Sequence, residues 1–152
     1  MGLRRRSREK ALQILYSKEY NQSRTLEELT DDYWRYYNLP SSCSEMTSSD
    51  AEERSFVQYL LARVTAQKAT IESLIEKATI NWRIDRIGLI ERNILRLAVA
   101  ELLDETNEIP YKATINEAID IAKKFGNKDS SSFVNGIINK IADILEVKQR
   151  KL

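Results

Sequence analysis

The sequence predicts an all-α fold on three observations. Four Gly and two Pro are the only strong helix breakers in 152 residues. Leu, Ile, Ala, Glu and Lys are abundant, and most of these are good helix formers. Apolar residues recur three and four positions apart instead of alternating. The length fits one domain, or two small subdomains sharing a core. Such a chain buries roughly 70% of its unfolded surface without a disulfide or metal staple.

A first helix is predicted over about 7–20, with Ser7 as its cap and Leu12, Leu15, Tyr16 and Tyr20 at helical spacing. A second opens with the capping box Thr25-Leu26-Glu27-Glu28. It buries Leu26, Leu29, Tyr33 and Tyr36 and stops before Leu39-Pro40. The Ser-rich stretch 40–49 reads as a loop. Asp50-Ala51-Glu52-Glu53 is a further capping box, opening a long helix towards Thr79 with a bend or break inside 65–70. A connector spans 81–85.

Residues 87–103 are apolar on all sides except a stripe of Glu91, Arg92 and Arg96. Such a helix is central, and an acid at i,i+4 spacing is expected to relieve the stripe. Pro110 ends the next loop. Thr114-Ile115-Asn116-Glu117 reads as a capping-type start, with Glu117 as its reciprocal member. Gly126 stands where a left-handed residue closes a helix. The last helix follows Asp129 or Ser130 and turns a broad apolar face inward. Gly136 inside it costs ~1 kcal/mol against Ala, which close helix packing would justify. Residues 147–152 are expected to fray. The natural division falls between 1–80 and 81–152.

One Cys and no His exclude an internal disulfide, a His-based triad and a His metal centre. Cys43 reads as a bystander. No run of 18 apolar residues occurs, so no membrane span is expected. The basic start lacks an apolar core for a secretory signal. Arg6 stands where a myristoylation signal needs Ser or Thr. The cytoplasm is the expected compartment.

The net charge of +1 argues at first against a polyanion ligand. Division by segment reverses that. Residues 1–24 hold seven Lys/Arg against two Glu, and residues 25–56 hold two Arg against eight Asp/Glu. The basic excess is Arg4, Arg5, Arg6, Arg8 and Lys10. Arginine bonds phosphate through a fork and stacks on bases. Cations at a helix N-terminus are unfavourable by about 0.3–1 kcal/mol each, so local helix stability does not explain them. Contact with RNA or DNA and a solvated basic terminus both remain open on this pattern.

Four segments together resemble one family: RRRSREKALQILY, IERNILRLAVAELL, IPYKATINEAIDIAKKFGNKD and SSSFVNGIINKIA. In this order and spacing they resemble the NusB family of bacterial transcription antitermination factors over essentially the whole chain. Residues 25–56 carry the weakest likeness. The resemblance implies about seven helices in two small packed bundles. It implies binding of boxA RNA from ribosomal RNA leaders, together with NusE, a small ribosomal-subunit protein. It also implies entry into an RNA polymerase antitermination complex with other Nus factors, with no catalytic activity, cofactor or metal. Some members of the family dimerise, and self-association stays open. The alternatives are a helical protein-interaction module without RNA specificity, and an RNA methyltransferase; no Gly-rich strand–loop–helix for a methyl donor occurs here.

On that resemblance Arg4, Arg5, Arg6 and Arg8, extended by Lys10, are assigned to RNA phosphates. Tyr16 either stacks on a base or packs the first helix. Lys123, Lys124, Ser130 and Ser132 are assigned to the RNA side of the KFG junction, with Phe125 and Phe133 as partner contacts or core. Asp129 would repel nearby phosphates, or only cap the last helix.

Overall fold

The computed structural model describes residues 2–37, 48–80, 82–106 and 109–147. Among these residues it holds seven α-helices and no strand. The chain divides into two compact units, Met1–Ala62 and Arg63–Leu152.

The first unit begins with α1 (Leu3–Tyr20). It starts a turn earlier than expected, because nothing in Leu-Arg-Arg-Arg opposes helix. Ser7 therefore lies inside α1, fully buried, with its hydroxyl donating to the Leu3 carbonyl at 2.8 Å. The core face is Ala11, Leu12, Ile14 and Leu15. Tyr16 and Tyr20 lie exposed and touch each other, ring centroids 5.5 Å apart.

The capping box of α2 (Leu26–Asp32) forms as expected: Thr25 accepts from the Glu28 N–H, and Glu28 accepts from the Thr25 N–H. Those bonds from Thr25 hold the Glu28 carboxyl below its ordinary range. The bond from Arg24 does the same for Asp32. The chain then passes into a π-helical turn, Tyr33–Tyr37. Its wider ring shifts the register. Trp34 turns inward (6% exposed) and Tyr36 outward (63%), so the expected face through Tyr33 and Tyr36 is replaced by Leu29, Thr30 and Trp34. The stop before Pro40 and the loop with Cys43 lie outside the described residues.

Helix α3 (Ser48–Ala66) also starts ahead of its expected cap. It ends at the expected break, where Gln67 separates it from α4 (Lys68–Ala78). The apolar face of α4, Ile71, Leu74, Ile75 and Ala78, is buried. It packs on α5 (Leu89–Leu103) and α7 (Ser130–Ile144). The boundary between the two compact units lies in the last turn of α3, between Ala62 and Arg63.

Helix α5 buries nine of its fifteen residues and touches α4, α6 (Tyr111–Phe125) and α7. It is the central helix that its composition predicted. Its polar stripe is satisfied partly across helices and partly locally. Arg96 donates to Glu72 of α4 (2.9 Å) and to the buried Asn93 (2.8 Å). Arg92 donates to the Ile87 carbonyl.

Helix α6 starts at Tyr111 after an extended Pro110 (φ −61°, ψ 140°). Proline presets the entry and leaves no orphan N–H. Thr114 is consequently buried inside the helix, and its pattern with Glu117 does not mark a helix start. Gly126 is extended (φ −93°, ψ −169°), not left-handed. Space requires it instead: an added Cβ would lie 2.3–2.4 Å from Ser130 side-chain atoms and 2.8 Å from the Ala122 carbonyl oxygen. Gly136 reverses the expectation of close packing, since a Cβ there meets open space. Val147, expected to fray, is fully buried; residues 148–152 lie outside the described residues.

Two outcomes follow for stability. Gly136→Ala should raise unfolding free energy by about 0.5–1 kcal/mol through helix propensity, while Gly126→Ala should lower it by about 1–3 kcal/mol through overpacking; urea titration measures both. The depressed carboxyls of Glu28 and Asp32 contribute stability above their unfolded values, and it is lost as pH falls through the folded ones. The melting-temperature gap between wild type and Asp32→Asn should therefore be widest near neutral pH and close below about pH 4.

Candidate nucleic-acid interface

In the first unit the five predicted cations all lie on α1, and its period divides them. Positions 6 and 10 share one face, positions 4 and 8 another. Glu53 of α3 is 3% exposed. One of its oxygens accepts from Arg6 Nε at 2.5 Å and the other from Lys10 Nζ. Arg8 is 5% exposed, its guanidinium 5.6 Å from the Phe56 ring centroid. Arg6, Arg8 and Lys10 thus fasten α1 to α3. Arg4 stands exposed with its guanidinium 4.9 Å from the Phe56 centroid, and Arg5 is half-exposed.

This arrangement explains cations at a helix N-terminus. Their unfavourable interaction with the helix dipole is offset by a buried carboxylate that would itself be costly alone. Glu53 was expected to close a capping box on its own helix; α3 starts at Ser48, and both Glu53 oxygens go to α1. The rings of Phe56 and Tyr59 lie nearly parallel (18°) with centroids 5.7 Å apart. The charge pattern did not single them out. Their signal is the spacing of Glu52, Ser55, Phe56 and Tyr59, one helical face that mixes aromatic and polar groups.

In the second unit Lys123 and Lys124 are exposed at the end of α6, where cations suit the dipole. Lys124 Nζ lies 5.4 Å from the Phe125 centroid. Phe125 and Phe133 are half-buried, and Ser132 is exposed. Ser130 is only 2% exposed. Its hydroxyl donates to Glu91 of α5 and accepts from the Asn127 N–H at 2.9 Å. Ser130, expected on the RNA side, thus forms a latch between α5 and the turn. Asp129 is exposed and makes no side-chain cap bond. The amide donors expected for phosphate are partly taken: Asp129 N–H bonds Asn127 Oδ1 and Ser130 N–H bonds the Asn127 carbonyl. Among the described residues no cluster of His, Cys, Asp or Glu is arranged to hold a metal ion.

These two cation-bearing regions sit in a chain whose residues 5–143 match the sequence profile of the NusB family. The chain belongs to the NusB family of transcription antitermination factors. It is 40% identical to the transcription antitermination protein NusB of Myxococcus xanthus, covering 93% of this chain and 96% of that one. It is 41% identical to the protein of the same name from Geobacter sulfurreducens, covering 97% and 99%. Among solved structures it is similar to T. maritima NusB (TM-score 0.76, 31% identity, 92% of this chain and 90% of that one). It is also similar to a chain from a crystal structure of the antitermination factors NusB and NusE in complex with dsRNA (TM-score 0.77, 26% identity, 95% and 98%). No described helix of this NusB-family chain is long and apolar enough to cross a membrane.

Removing the Glu53 carboxylate leaves two cations against α3 without their acceptor. Glu53→Ala should lower the unfolding free energy by about 3 kcal/mol. Chemical denaturation measures this, and amide exchange should rise first in α1.

Proposed function

We propose that this chain is an RNA-binding, non-catalytic antitermination factor. It takes single-stranded boxA RNA of ribosomal RNA leaders together with NusE. It then joins the RNA polymerase antitermination complex in the cytoplasm with other Nus factors. The observation that carries the reading is the division of the Arg-rich run. Arg6, Arg8 and Lys10 hold α1 against α3, while Arg4 stands exposed at the start of the same helix with the half-exposed Arg5 beside it. The second unit contributes Lys123 and Lys124, with Phe125, Ser132 and Phe133 beside them. Tyr16, exposed on α1, is free to stack on a base. A relative solved with NusE and RNA supports the choice of partners.

Affinity in this reading comes from phosphates. Four neutralised phosphates, at Arg4, Arg5, Lys123 and Lys124, give a log–log salt slope of about −3 for single-stranded RNA. NusE supplies a second RNA surface, so the pair binds more tightly than either chain.

Fluorescence titration of labelled boxA RNA tests this. Arg4→Ala with Arg5→Ala should reduce the magnitude of the salt slope by about 1.4. RNA affinity unchanged in that variant would sink the RNA role of these arginines. Asp129 makes no cap bond, so its charge is its main influence on a nearby phosphate. Asp129→Asn should strengthen binding several-fold at low salt, for ~1 kcal/mol.

A further inference from the structure

We propose that the cleft between the start of α1 and the outer face of α3 holds one unpaired guanine of the bound RNA. The proposal rests on the RNA-binding reading above and names what one subsite of it reads. The cleft has a volume of about 460 Å³ and is lined by Leu3, Arg4, Glu52, Ser55, Phe56 and Tyr59, with Ala51 at its edge. That volume lies in the range of small-ligand sites.

Each wall makes a different demand. Phe56 and Tyr59 offer a near-parallel aromatic surface, held from the α1 side by the buried Arg8. Arg4 lies over the same ring and is exposed, so it can lift and close on the far face of an inserted plane. Glu52 is an exposed carboxylate on this face, able only to accept hydrogen bonds. A free phosphate would suit Arg4 and be repelled by Glu52. An aliphatic side chain would use the rings and strand both charges. A flat heteroaromatic base uses all three: it stacks between the rings and Arg4, and its edge donates to Glu52.

Among bases a carboxylate favours two adjacent donors. Guanine presents N1–H beside its N2 amino group. The N3–H of uracil stands between two carbonyls that repel a carboxylate. Adenine and cytosine place their amino group next to a ring acceptor. Guanine is therefore the base that Glu52 selects.

The probe is a short single-stranded uridine RNA carrying one central guanosine. Inosine, which lacks the N2 amino group, and a fluorescent guanosine analogue that keeps both N1–H and the N2 amino group replace it in parallel. Wild type should bind the guanosine RNA about tenfold more tightly than all-uridine RNA, with inosine between them. Glu52→Gln, at an exposed position, should make guanosine and inosine equal. Phe56→Leu and the half-buried Tyr59→Leu should each weaken guanosine RNA about fivefold to tenfold and remove the quenching of the fluorescent guanosine analogue. Circular dichroism checks that each variant is folded. Binding that responds to Arg4→Ala with Arg5→Ala, yet shows no guanosine preference and no quenching, overturns the guanine subsite and leaves the RNA reading standing. Binding indifferent to those arginines overturns the subsite together with their RNA role, and no measurable binding of either RNA overturns the RNA reading itself. Protection of Tyr59 from iodination by NusE without RNA also overturns the subsite, in favour of a protein occupant.

Discussion

The N-terminal unit is organised around one carboxylate. Glu53 is nearly excluded from water, and an unpaired charge there would be strongly destabilising. The two cations that satisfy it come from a different helix, one turn apart. Burying Glu53 therefore fixes both the rotation and the axial position of α1 against α3. The surroundings reinforce this. Lys10 and Arg54 place their charges 5.5 and 5.8 Å from the Trp34 ring centroid, and their stems cover the indole. Burial, with the charges of Glu53 and Glu9 nearby, raises the Tyr33 phenol above its ordinary range. The phenol therefore stays neutral beside the carboxylate.

This constraint gives one sequence motif two jobs. Five cations within seven positions look like a single electrostatic patch. A helix distributes them around its circumference, and a buried acid decides which are structural. The acidic segment that cancels the basic one in the total charge contains the side chain that holds it in place. Charge totals, and even segment totals, therefore misjudge how many cations face outward.

What the sequence disclosed follows the same logic. The central place of α5 was legible because an apolar helix admits no other position, and the break near Gln67 because apolar spacing lapses there. The Thr25 capping box was legible because its partners lie within four residues. The capping patterns at Asp50 and Thr114 misled, since Glu53 had a distant partner and Pro110 began α6 first. The burial of Trp34 in place of Tyr36 was not legible because a π-helical turn breaks the 3.6 period on which the burial pattern depends. The exposure of Arg4, Lys123 and Lys124 was legible from type and position. The committed roles of Arg6, Arg8, Lys10 and Ser130 were not, because each depends on a residue about forty or more positions away. Gly126 was recognised as necessary, but for backbone freedom when the real demand is room for Ser130.

The Ser130 latch carries a consequence for the dynamics of the α6–α7 turn. Its hydroxyl joins Glu91 on one side and the Asn127 amide on the other, and the missing Cβ of Gly126 lets the chain close over it. The conformational entropy of the turn is lost during folding and not during encounter. Lys123 and Lys124 thus sit on a scaffold that is already rigid. Arg4 stands exposed on the first turn of α1, where a helix lacks part of its own hydrogen bonding and frays most readily. The two groups of cations differ in preorganisation: an anion settling on them would meet one as a finished surface and would have to bring the other to rest.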